Sequence, residues 1–220
     1  MIVAARNEAD RIGATLAALR RTLPGAALWV ADDASTDGTA EAALAGGAEV
    51  VTRRRPHGKG ANVTAAAQAA LGVEPSPELV LLCDADLGSS ASELGALVDA
   101  VAEGRCDLAI ASFSRRVGGG FGLTVGFARW AIERLSGFRA RAPLSGQRAM
   151  RAGVLRDALP LADGFGLETG MTIDAVRAGH RVEEVDLDLS HRATGRSLRG
   201  FAHRGRQLLD AARAYRARRG

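Results

Sequence analysis

The triplet Asp84-Ala85-Asp86 follows the apolar run Leu79-Val80-Leu81-Leu82-Cys83. That run reads as a buried strand, so its C-terminal tip delivers two carboxylates. Asp84 and Asp86 are two residues apart, but the strand ends there and the turn can swing both toward one point. Carboxylate oxygens suit a hard divalent ion, Mg²⁺ or Mn²⁺. Such an ion would in turn suit a diphosphate. The competing reading is a polar strand end with one Asp capping a turn, because Asp-x-Asp alone is a weak motif.

Three further groups carry chemistry. Asp32-Asp33 stand at the tip of a second apolar run, Leu28 to Ala31. Gly58-Lys59-Gly60 opens a helix, where an ammonium beside helix N–H groups suits a phosphate. It is shorter than the phosphate-loop motif. Arg115, Arg116, Arg129, Arg139, Arg141 and Arg148 form an arginine-rich second half, and guanidinium forks bind phosphate oxygens in pairs.

The elements that must position these residues alternate. Met1 to Ala5 is a strand that starts at the first residue, which leaves room for a few natural residues upstream. Asn7 is expected to cap a helix whose apolar face is Ile12, Leu16, Leu19 and Leu23. Strands follow at 28–31, 49–51 and 79–84, with helices at 39–45 and 58–71 between them. Ser90 and Glu93 read as a capping box for a helix to Ala102. Leu108 to Ser112 is a strand, Gly118–Gly120 a loop able to close over a ligand, and 123–135 a helix. Arg148-Ala149-Met150 is a short strand, and 168–178 a helix stopped by Gly179. Val182 to Leu189 alternates apolar and acidic residues, as a strand near an edge does. A basic helix from Ser197 ends the chain. The pattern predicts an α/β fold: one domain with a Rossmann-like, mostly parallel sheet and helices on both faces. Ligands bind at the carboxyl ends of such strands, where Asp32, Asp33, Asp84 and Asp86 all fall.

The chain has 220 residues, 47% apolar and 25% charged, which suits a single globular core. No apolar stretch reaches the length of a membrane span and no secretory pattern is visible. Cys83 and Cys106 lie in apolar runs and read as buried free thiols, so a cytoplasmic location is expected. Net charge is +4, and residues 192–219 hold nine arginines against one acid, Asp210. Such an end fits an anionic membrane, a phosphorylated substrate, nucleic acid or a merely solvated helix face. Aromatic content of 4% leaves few stacking platforms for single-stranded nucleic acid.

Nearly the whole chain resembles the GT-A glycosyltransferases, and within them family 2 enzymes of the dolichyl- or polyprenyl-phosphate sugar synthase type. Val3-Ala4-Ala5-Arg6-Asn7-Glu8 is similar to the family's opening Pro-Ala-Tyr-Asn-Glu, with Pro and Tyr replaced. Asp32-Asp33-Ala34-Ser35-Thr36-Asp37-Gly38-Thr39 follows Asp-Asp-Gly-Ser-x-Asp-Gly-Thr. Gly58-Lys59-Gly60, Asp84-Ala85-Asp86, the Ser114-to-Gly120 loop and Ser145-Gly146-Gln147-Arg148-Ala149-Met150 follow in family order. The chain also resembles glucosyl-3-phosphoglycerate synthases through its Pro-Leu-Ser-Gly segment, Gly164-Phe165-Gly166-Leu167-Glu168, and His191 after the last strand. The first group inverts and the second retains the sugar's configuration; both outcomes are carried forward.

The resemblance implies a donor half, 1–112, and an acceptor half, 113–220, which ends in the basic helix. Ala4, Ala5, Arg6, Asn7, Glu8, Asp32, Asp33, Lys59, Asp84 and Ala85 would hold a UDP- or GDP-sugar, with Asp32 or Asp33 reading base or ribose. Asp84, Asp86 and His191 would hold Mg²⁺ or Mn²⁺. Arg115, Arg116, Arg129, Arg148, Ser145 and Gly146 would bind a phosphorylated or lipid-phosphate acceptor. Asp86, Glu168 and Arg115 would be catalytic. Glu168 is the base candidate for a hydroxyl acceptor, since the family's usual Glu-Asp pair is replaced by Glu168-Thr169; its alternative role is a favourable acid at a helix N-terminus. A phosphate acceptor is already anionic and needs no base. Peripheral contact with the inner membrane face and a homodimer are compatible with this reading; nucleic acid is not an expected partner. A sugar-phosphate nucleotidyltransferase is the rival enzyme class, but the segment 4–8 lacks its Gly-rich loop.

Overall fold

The structure, a computed structural model, describes residues 1–53, 55–113, 122–164, 166–189, 209–210 and 212–219. Four short strands build its first half: β1 (Ile2–Ala5), β2 (Trp29–Asp32), β3 (Glu49–Thr52) and β4 (Leu79–Asp84). They alternate with α1 (Ala9–Thr22), α2 (Thr39–Ala45) and α3 (Lys59–Leu71). A 3₁₀ helix (Gly88–Leu94) runs into α4 (Gly95–Ala102), then β5 (Leu108–Phe113) and α5 (Gly122–Ser136). The remainder is β6 (Arg148–Arg151), α6 (Ala152–Ala158), α7 (Gly166–Arg177) and β7 (Val182–Leu187).

The strands form one sheet in the order β3-β2-β1-β4-β6-β5-β7. Only β6 runs antiparallel to its neighbours β4 and β5. This matches the expected mostly parallel sheet, with β7 at an edge. Successive residues of the central strands point to opposite faces. Val3, Leu81 and Cys83 pack under α1 and α4, while Ile2, Val80 and Leu82 pack under α3, α6 and α7. Both faces are covered, which is why these strands read as continuous apolar runs. Each such Val, Leu or Ile contributes about 1.5–3 kcal/mol of burial. Cys83 and Cys106 are free and buried, as expected. Burial pushes the Cys83 thiol up to about 12, so it is inert.

Several local expectations are corrected. Asn7 does not cap α1. Its backbone is left-handed (φ 54°), and its side-chain oxygen accepts from Thr36 N instead. The helix start is served from the next loop: Asp37 Oδ2 accepts from Ala9 N at 3.2 Å. The Thr39 hydroxyl holds the Asp37 carboxyl below its ordinary range. The helix placed at Ser90 begins earlier, as the 3₁₀ stretch, and Ser90 Oγ donates back to Leu87 O. The helix α6 was not anticipated. The Gly118–Gly120 loop, and the basic helix between Ser197 and Leu208, lie outside the described residues.

The β5–β7 edge is pinned at its start. Arg181 donates to Asp107 through its backbone N, Nε and Nη2, and Arg151 Nε lies 3.4 Å from Asp107 Oδ1. The Arg181 hydrogen bonds lower the Asp107 pKa from 3.8 to about 2. A carboxyl depressed on folding stabilises above its unfolded value and loses that contribution as pH falls through the folded one. After allowance for solvent screening this contributes about 1 kcal/mol. Asp107→Asn is therefore expected to lower the melting temperature by about 2–4 °C at pH 6, with the difference vanishing toward pH 2. Melting curves of both proteins across that range test it.

Candidate active site

The sheet order reverses between β1 and β4, and crevices at such switch points are where α/β sheets bind ligands. The carbonyls of β1 gather the neighbouring tips. Asp33 N donates to Ala5 O and Ala85 N to Ala4 O, each at 3.0 Å. The turn after β4 is then tied to α1. Thr15 Oγ1 donates to Ala85 O at 2.7 Å and accepts from Gly88 N at 2.8 Å, while Arg11 Nη1 reaches Asp86 O at 3.1 Å. Asp84 and Asp86 both stand half-buried on this fixed turn.

A single ammonium joins three elements. Lys59 Nζ, at the start of α3, lies 2.7 Å from Asp84 Oδ1 on β4 and 2.9 Å from Glu168 Oε1 in the first turn of α7. Burial alone would push this amine down, but Asp84 and Glu168 together outweigh it and hold the pKa above the ordinary lysine range. Gln147 Nε2 takes the other oxygen of Asp84 at 3.0 Å. The part played by Gln147 is not legible in the sequence, because nothing there shows that β6 runs antiparallel beside β4. Gly146 is packed against the same point: a Cβ there would meet Lys59 Nζ at 2.6 Å and Asp84 Oδ2 at 2.7 Å. Gly146→Ala must displace the pair. It is expected to lower kcat/KM about a hundredfold with the fold retained, as misplacements near 1 Å do. Steady-state kinetics beside a circular-dichroism melt would measure both.

The other expected donor residues turn inward. Asp32 is buried and accepts from Ser35 N, Ser35 Oγ and Thr52 Oγ1. Asp33 Oδ1 accepts from His57 N, Gly58 N and Asn62 Nδ2, and Arg6 Nη1 lies 3.3 Å from its Oδ2. A base or ribose would share these carboxylates with the protein donors that already hold them. As they stand, they fold the loops that frame the crevice. Arg6 remains half-exposed at its rim, while Asn7 and Glu8 serve the 35–39 loop through their backbone N–H groups.

The arginine-rich acceptor side is largely consumed by structure. Arg148 is fully buried, donating to Ser145 O and Thr172 Oγ1, and burial pulls its pKa down to about 10. Arg141 binds Glu184 and Asp186 on β7, Arg139 pairs with Glu133, and Arg129 donates to Arg141 O. These contacts hold the loop that carries Ser145 and Gly146. Arg115, Arg116 and His191 lie outside the described residues. Glu168 Oε2, Ser145 Oγ, Thr169 Oγ1 and Arg148 Nη2 are buried with no hydrogen-bond partner among the described residues. Leaving such groups unmet costs about 1–3 kcal/mol each, so they mark where a substrate group or ordered water would bond.

The residues fit a Mg²⁺-like ion in one way. Among the described residues no group of three His, Cys, Asp or Glu forms a cage. Mg²⁺ commonly takes one or two carboxylates and completes its shell with water and substrate phosphates. The β4 tip is such a partial site. Asp84 and Asp86 both stand there half-buried, and Asp84 is already steered by Lys59 and Gln147.

Fold and site together define a GT-A glycosyltransferase. The glycosyl transferase family 2 model matches residues 1–154, and the chain belongs to that family. It is 32% identical over 213 residues to undecaprenyl-phosphate mannosyltransferase of Micrococcus luteus, covering 89% of this chain and 85% of the relative. Among solved structures it resembles glucosyl-3-phosphoglycerate synthase of Mycobacterium tuberculosis. The complex with phosphoglyceric acid gives a TM-score of 0.80 at 26% identity, over 99% of this chain and 78% of that one. The complex with Mn²⁺, UDP-glucose and glycerol 3-phosphate gives 0.76 at 26% identity, over 97% and 78%. Membership of this family sets aside the nucleotidyltransferase alternative.

Proposed function

We propose that the chain moves a sugar from a nucleotide diphospho-sugar to a lipid phosphate of the polyprenyl type, with Mg²⁺ or Mn²⁺ held by Asp86, Asp84 and His191. One observation carries this reading: Lys59 joins Asp84 of β4 and Glu168 of α7 at the switch-point crevice, with Asp86 next after Ala85 along the same turn. When bound, the ion supplies charge neutralisation at the leaving diphosphate. Lys59 pivots from Asp84 toward a donor phosphate and adds a second positive charge there. Arg6 lies toward the nucleoside end. Arg115 and Arg116 grip the acceptor phosphate. Its oxygen forms the new bond to the anomeric carbon as the bond to the nucleoside diphosphate breaks. Glu168 orients the acceptor through Oε2, or takes a proton if the acceptor is a hydroxyl.

The lipid acceptor is supported by the Micrococcus relative, whose name specifies undecaprenyl phosphate. Among the described residues no helix is long and apolar enough to cross a membrane, so the lipid would be met at the surface. A second reading, transfer to a small phosphorylated acid, is favoured by the Gly164-x-Gly166-x-Glu168 segment and by the synthase fold. A thermal-shift panel of UDP, GDP and their sugars with and without Mn²⁺ tests the donor. Organic extraction of labelled product tests the acceptor: label in the organic phase supports the lipid, and label confined to water supports the small acid.

A further inference from the structure

The helix α5 shows an apolar stripe to solvent. Leu123 is 86% exposed and Trp130 49% exposed, with Phe127 between them at helical spacing. Tyr215, from the C-terminal helical residues, completes the cluster: its ring lies 5.0 Å from Trp130 and 6.2 Å from Phe127. The C-terminal segment also exposes Leu209, at 59%. That segment is fixed to the body, since Arg218 grips Asp174 of α7 through Nε at 2.7 Å and Nη2 at 2.5 Å. Its start lies beside the site. A Cβ at Gly164 would collide with Asp210, and one at Gly60 of α3 with Ala162 O.

Exposed arginines frame the stripe: Arg134 on α5, and Arg213, Arg216 and Arg219 on the C-terminal segment. Among the described residues, Arg134, Arg216 and Arg219 have no ion pair, and the exposed Glu133 is taken by Arg139. Aromatic rings with polar edges beside arginines suit the boundary between lipid headgroups and acyl chains. A second copy of the chain fits the patch less well, because two-fold self-docking would set arginine against arginine. We propose that α5 and the C-terminal helix form the surface by which this protein docks on an anionic lipid bilayer. The proposal rests on the lipid-acceptor reading above and assigns it a face.

Flotation with lipid vesicles tests the surface, with UDP and GDP binding read on the same samples. Vesicles of phosphatidylcholine with about a third phosphatidylglycerol are expected to carry the protein up, and neutral phosphatidylcholine or about 0.5 M salt to release it. Leu123→Ser with Trp130→Ser is expected to lower partition at least about tenfold. Arg216→Glu with Arg219→Glu is expected to lower it more than about twenty-five-fold, since each arginine near such a surface strengthens binding about fivefold. None of the four touches the site, so nucleotide binding should not change, and the melt should fall only in the variant that loses the Trp130–Tyr215 ring contact. Absence of the wild-type protein from anionic vesicles, or equal partition of the variants, overturns the proposal. So does a dimer, seen by light scattering, that Leu123→Ser and Trp130→Ser dissociate. Failure of the donor reading would show separately, as lost nucleotide binding.

Discussion

Asp86→Asn is expected to lower metal-dependent kcat/KM about a thousandfold or more, corresponding to about 4 kcal/mol of lost charge stabilisation at the leaving diphosphate. The turn itself should survive. It is held through Ala85 O, Gly88 N and the backbone of Asp86 by Thr15 and Arg11, none of which needs the Asp86 carboxylate. Asp84→Asn makes the contrast, because it also loosens Lys59 and Gln147 and should cost both stability and activity. Rates measured across a Mn²⁺ titration, beside melting curves, distinguish the two residues. Full Mn²⁺-dependent activity in Asp86→Asn would refute its assignment.

Lys59→Met should be the most damaging change to stability at the site. Glu168 is 2% exposed, and among the described residues its carboxylate hydrogen-bonds to the ammonium that this substitution removes. Breaking a buried pair from one side costs about 3–5 kcal/mol. Lys59 keeps 26% of its side chain exposed, so about 2–3 kcal/mol is expected after screening. That is about 5–10 °C in melting temperature for a chain of this size. Adding Glu168→Gln should restore part of the stability and none of the activity, because the positive charge for the donor is still missing. An equal loss in the double variant, or retained turnover in the single one, would contradict the role given to Lys59.

The elements were legible where local chemistry decides them. The runs at Leu28–Ala31 and Leu79–Cys83 are apolar throughout because both faces of the sheet are covered. The tips were legible for the same reason: carboxylates directly after a buried strand have one place to go. What the sequence hid was pairing at a distance. Nothing near Arg148 shows that it enters an antiparallel strand beside β4 and disappears under the site, nor that Gln147 thereby meets Asp84. The arginines at 129, 139 and 141 read as phosphate forks because their partners, the Arg141 carbonyl, Glu133 and Glu184, come together with them only in the fold. Asn7 looked like a cap because the real donor to α1, Asp37, lies 28 residues from Ala9.

Calorimetric binding of UDP and GDP, with Mn²⁺ and then with chelator, tests the central claim most directly. The account predicts that one of them binds at least about tenfold more tightly with Mn²⁺ in the wild-type protein, and that Asp86→Asn erases that gain. Binding that is equally tight with chelator present, or a metal gain that persists without the Asp86 carboxylate, would contradict it.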